Sequence, residues 1–120
     1  MTDRMLASLV YDTKAQPLSS GIRAVVQRAR RMLYAAGETE IVLQVAPDKQ
    51  PDHLKLAGQV LDEGMPVEGA AVNLHGAASS VDQETDEEGE FLIGALPPGT
   101  YHLDIETPSR SMRVPTLEVE

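Results

Sequence analysis

Histidine is the side chain that titrates near neutrality, and the chain has three: His53, His75 and His102. A general acid or base would have to come from this set or from the carboxylates. His75 and His102 fall at outward-facing positions of alternating segments, and His53 lies in a loop-like stretch. No serine lies in a nucleophile motif. Cysteine is absent, which removes disulfides, thiolate metal sites and cysteine nucleophiles together. The residues assign no catalytic group and call for no cofactor, so the chain reads as a non-enzyme.

Oxygen ligands are plentiful. Asp82, Glu84, Asp86, Glu87, Glu88 and Glu90 form an acidic run, and such groups suit calcium. Asp82, Glu84 and Asp86 are the candidate ligands. An EF-hand loop would need glycine at its sixth position and glutamate at its twelfth. Counting from Asp82, those positions hold Glu87 and Ile93. The simpler reading is a solvated turn, with calcium as the alternative.

Charge is uneven. Residues 1–37 carry six basic and two acidic groups, while residues 38–120 carry four and seventeen, within a net charge of −9. Arg23, Arg28, Arg30 and Arg31 make a basic cluster. They have no interleaved aromatics and sit on an acidic chain, so nucleic acid is not the expected partner. They are candidates for contact with another protein or with a second copy. Carbohydrate binding is also disfavoured, because tryptophan is absent and Tyr101 and Phe91 are needed inside. No stretch approaches the ~20 apolar residues of a membrane span, and residues 1–20 hold no leader-like segment. The reading is a soluble, cytoplasmic chain with no membrane partner.

Strands must position these groups. Residues 5–12 read as a strand. Residues 39–46 alternate, with Ile41, Leu43 and Val45 on one side and Glu40, Val42 and Gln44 on the other. Residues 31–36 fit a strand turning at Gly37 and Glu38. Over 21–30 the apolar spacing leaves one short helix and a strand equally open. PDKQPDH (47–53) is the best internal boundary. Beyond it, segments 54–62, 70–76, 79–85, 90–96, 100–107 and 112–119 are short strands separated by glycine and proline turns. This pattern predicts a mainly β, antiparallel sandwich. Residues 1–53 would pack on the same core as the sandwich of 54–120. SSVDQET and the last strand are expected at sheet edges.

The run GQVLDEGMPVEGAAVNLHG … ETDEEGEFLIGALPPGTYHLDI resembles the carboxypeptidase-regulatory-like family, of transthyretin-like or CnaB-like topology. The matching pieces occur in order: Gly58 and Val60; Pro66, Gly69, Ala70 and Val72; Thr85, Asp86, Gly89 and Phe91; Leu96, Gly99 and Tyr101. The resemblance covers about 57–107 and implies an Ig-like or prealbumin-like sandwich. Within it Asp86 would cap a turn, Gly89 would take a positive φ, Phe91 would enter the core, and Gly99 would open the last turn. Tyr101 would bury its ring and tie its hydroxyl to backbone. Gly58, Asp86, Gly89, Phe91, Gly99 and Tyr101 are thus assigned structural roles.

Transthyretin-like hydrolases end in Tyr-Arg-Gly-Ser, whereas this chain ends LEVE. The Lys–Asn isopeptide staple of some CnaB-like domains would need Lys55 and Asn73, both in polar phase. The segment before residue 53 is similar to one that precedes such modules in some bacterial proteins carrying an anti-sigma zinc finger. That finger's ligands are absent here. The resemblance therefore implies a non-catalytic interaction or assembly module, accessory to a bacterial regulatory or signalling system. A small-ligand or calcium-binding sandwich and a structural spacer are the alternatives.

Overall fold

Alternation of apolar and polar residues is the organising signal. Each long strand buries one phase and leaves the other near solvent, as antiparallel sheets with one wet face require. The computed structural model describes residues 5–13, 30–50, 52–77 and 80–119. Eleven strands are found there: β1 (Met5–Leu6), β2 (Ser8–Asp12), β3 (Arg30–Ala36), β4 (Thr39–Pro47), β5 (Leu54–Asp62), β6 (Met65–Pro66), β7 (Ala71–Gly76), β8 (Ser80–Glu84), β9 (Glu90–Leu96), β10 (Gly99–Glu106) and β11 (Ser111–Val119).

They form two sheets. One has the order β1-β11-β10-β7-β8. The other runs β2-β3-β4-β5, with β9 and the short β6 both pairing β5. We call them the first and second sheets. All pairings are antiparallel except β1 with β11. The expected mainly β antiparallel sandwich is therefore what forms, and no described residue is helical. Of the 21–30 segment only Arg30 is described, and it begins β3. The rest of the helix-or-strand alternative lies outside the described residues. Among those described, no helix is long and apolar enough to cross a membrane.

One apolar cluster joins both sheets. Met32, Ile41, Leu43, Leu56 and Val60 come from the second sheet, and Val72, Leu74, Leu103, Ile105 and Met112 from the first. Residues on both sides of the 47–53 turn contribute, and β4 pairs with β5 from Thr39↔Asp62 to Pro47↔Leu54. With so few aromatics, the interior is filled by aliphatic chains that interdigitate between the two inner faces.

Two expectations, on the last strand and on the segment 5–12, are corrected. The last strand is not an edge over its first half, because β1 covers it at Met5↔Met112 and Leu6↔Arg113. The segment 5–12 is not one strand either. Ala7, which donates its N–H to Arg113 O at 2.8 Å, is the point where the chain leaves the first sheet for the second. Asp86 Oδ1 accepts the N–H groups of Glu88 and Glu90, both at 2.9 Å, and so caps its turn. Gly89 follows at φ 74°, and a Cβ there would stand 2.6 Å from Val60 O. Gly99 begins β10 without a positive φ, and an added Cβ would meet only Tyr101 Cε1 at 3.8 Å, an ordinary contact. Ala95, near the end of β9, is left-handed, at φ 55°.

Candidate functional site

The outer face of the first sheet gathers the polar chemistry. In β10 the residues His102, Asp104 and Glu106 alternate with the buried Tyr101, Leu103 and Ile105. Pairing places His102 opposite His75 and Asp104 opposite Asn73 on β7, and Asp104 opposite Arg113 on β11. The outward residues consequently form transverse rows. One row is Asp82–Asn73–Asp104–Arg113, crossing four strands. The next contains Ser80, His75 and His102.

Asp104 is the centre of this face. Although its strand phase is outward, only 3% of it is exposed. Burial of a carboxylate requires compensation, and Arg113 supplies a two-pronged hydrogen bond. Its Nε donates to Oδ1 at 2.7 Å and its Nη2 to Oδ2 at 3.0 Å. That carboxylate raises the pKa of Arg113, through the hydrogen bond first and charge attraction second. The histidine rings stack above, with centroids 4.6 Å apart and an interplanar angle of 25°. Each aims Nε2 at Asp104 Oδ2, at 3.7 Å from His75 and 4.0 Å from His102. Beside them Asn73 Nδ2 donates to Asp82 Oδ1 at 2.7 Å.

This is also the one group of three histidine or carboxylate residues, among those described, whose ligand atoms converge: they lie within 4.8 Å of one another. The acidic run does not make such a group. Asp82 turns to Asn73, Asp86 is engaged in its own turn, and Glu84 is exposed on β8. The fold thus places His75 with His102 and adds two residues, Asp104 and Arg113, that local patterning left without a role. The available signal was the shared phase of His102 and Asp104. Their meeting with His75 and Arg113 depends on pairings between β7, β10 and β11 that local patterning does not supply.

The basic candidates separate. Arg30 is held inside the fold. Its guanidinium grips Asp12 at 3.0 and 2.6 Å and also donates to Glu118 O at 2.6 Å. The hydrogen bond to Asp12 is the main cause of its raised pKa. Arg31 is exposed on β3. Arg23 and Arg28 lie outside the described residues. Arg110 makes a reciprocal clasp, donating from Nη1 to Ala36 O at 2.6 Å. Arg30 and Arg110 thus tie the two ends of β3 to the first sheet.

The structural candidates meet across strands. Gly58 pairs with Phe91, whose ring fills the space a Cβ would need. Tyr101 is 6% exposed, and its hydroxyl donates to Pro97 O at 2.7 Å. Burial raises its pKa.

The second sheet's outer face is different in kind. A cleft of about 600 Å³ there is lined by Val42, Ala57, Gln59 and Leu92, with Glu84 and Asp86 at one side. No converging group of histidines and carboxylates accompanies it among the described residues.

No curated protein and no solved structure gives a significant match to the chain. The family model for the carboxypeptidase regulatory-like domain does match, over residues 55–120. That span runs from β5 to the last described strand and takes in more than half of the sequence, so the chain belongs to the carboxypeptidase regulatory-like domain family.

Proposed function

We propose that the protein is a non-catalytic protein-interaction or assembly module, which presents sheet edges to a second polypeptide. The carrying observation is the N-terminal segment. It supplies the last described strand at one side of both sheets, β1 in the first and β2 in the second. Met5, Leu6, Leu9 and Val10 are all exposed there, at 43–65%. An edge strand carries unpaired backbone donors and acceptors, and apolar side chains on it favour pairing over solvation. Membership of a regulatory-like family fits a role in contact rather than in turnover.

A second copy of the chain is the simplest partner to test. Size-exclusion chromatography with light scattering at low and high salt should show a dimer or larger species. Val10→Lys, which places a charge on β2, should return it to a monomer. A wild-type monomer at both salt concentrations would remove the self-association reading.

A further inference from the structure

The geometry points to a divalent transition-metal site on the outer face of the first sheet, formed by His75, His102 and Asp104. The three residues come from two neighbouring strands whose pairing is fixed along their length, from Tyr101↔Gly76 to Glu106↔Ala71. Rigid sheet positions, rather than a loop, therefore set the spacing. His75 and His102 are direct cross-strand partners, and Asp104 lies two residues along β10 on the same face. Both Nε2 atoms already face one oxygen, Asp104 Oδ2.

Distances favour a first-row ion. Zinc held at ~2.0–2.2 Å in a tetrahedron places its ligand atoms about 3.3–3.6 Å apart. The two histidine-to-carboxylate separations of 3.7 and 4.0 Å are within a few tenths of an ångström of that range. All three ligand atoms lie within 4.8 Å of one another, so ring rotations would also have to bring the two imidazole nitrogens together, and the histidine side chains have room to make them, being 39% and 37% exposed.

The donor set selects the class of metal. Two imidazoles and one carboxylate suit zinc, cobalt, nickel or copper. Calcium and magnesium prefer all-oxygen shells, so this site is chemically distinct from the acidic turn at Asp82–Glu90. Arg113 has a positioning role. It clamps the carboxylate in the orientation that aims Oδ2 at the histidines, as outer partners of ligating carboxylates do. Its positive charge opposes the incoming dication, but Arg113 and Asp104 offset each other and the chain as a whole carries −9. Three protein ligands leave a further coordination position toward solvent.

The untagged chain should be titrated with zinc and with cobalt by calorimetry, and with cobalt by visible absorption. One equivalent of metal should bind, with a rise in melting temperature and cobalt bands of a four- or five-coordinate centre. His75→Ala and His102→Ala should each lower the affinity by at least ~10-fold, since even outer partners of a ligand cost that much. Both lie on an exposed face, so circular dichroism should show them folded, and His53→Ala should bind as the wild type does. Absence of zinc and cobalt binding would overturn the assignment. So would binding that survives both His75→Ala and His102→Ala, or a preference for calcium over zinc at these residues.

Discussion

Each sheet of the sandwich contains a glycine lying beneath an aromatic ring on the neighbouring strand, and the two pairs are secured differently. In the second sheet Gly58 of β5 lies under Phe91 of β9. In the first, Gly76 of β7 lies under Tyr101 of β10, whose Cε2 would stand 2.6 Å from an added Cβ. An aromatic that covers a cross-strand glycine restores the packing the glycine forgoes. Tyr101 has a polar handle and uses it, through the hydroxyl, on Pro97. Phe91 has none. The strand that carries it is instead pinned four residues later by Asp48, whose Oδ2 accepts the N–H of Ala95 at 2.6 Å. Register shifts by one residue there, between Leu54↔Leu96 and Leu56↔Ile93. The bulge and its left-handed Ala95 are thus held by a side chain from a distant loop. One pair carries its own anchor; the other borrows one.

Variants can break this comparison. Phe91→Ala should be the most damaging, at about 3–5 kcal/mol, read as a loss of chemical-denaturation stability. Gly58→Ala should cost about 1–3 kcal/mol by overpacking, and nearly all of that should vanish when Phe91→Ala is also present. A Gly58→Ala cost that stays the same beside Phe91→Ala would show that the ring contact is not its source. Tyr101→Phe keeps the ring over Gly76 and removes only the hydroxyl, so about 1 kcal/mol should be lost.

The borrowed anchor has a pH signature. Backbone N–H groups, first that of Ala95 and then that of Lys49, hold the Asp48 carboxyl below its ordinary pKa. A folded pKa below the unfolded one means the contribution is complete above about pH 4 and is lost as pH falls through the folded value. Asp48→Asn should therefore narrow the stability difference between neutral and acid solution, measured by thermal melting. Gly99→Ala should do least, within about 0.5 kcal/mol, although Gly99 is part of the family's sequence pattern.

These contrasts show what patterning could and could not carry. Alternation at Ile41, Leu43 and Val45 and at Tyr101, Leu103 and Ile105 was enough to find the strands and their buried phase, because side chains in a strand point to opposite faces in turn. Turn chemistry at Asp86 and Gly89 was legible for the same local reason. The left-handed backbone at Ala95 carries no such local signal, because the residue that holds it, Asp48, is remote in sequence. Arg30 counts among the contact candidates in the sequence because its partners within the chain, Asp12 and Glu118 O, are remote from it. His75, His102, Asp104 and Arg113 also meet only through long-range pairing. What the sequence lacked in both cases was the order of strands in the sheets.

The parallel pairing of β1 with β11 bears on how the fold carries load. Both strands run the same way at the side of the first sheet. A pull on the chain ahead of Met5, opposed by one beyond Val119, would drag the two strands past each other along their length. Their hydrogen bonds, with that of Ala7 to Arg113 O, would then be strained together rather than one after another. Resistance to stretching is governed by the rate of that shearing step. A pull applied at these two points would thus load the β1–β11 contacts in shear before it reached the sandwich behind β11.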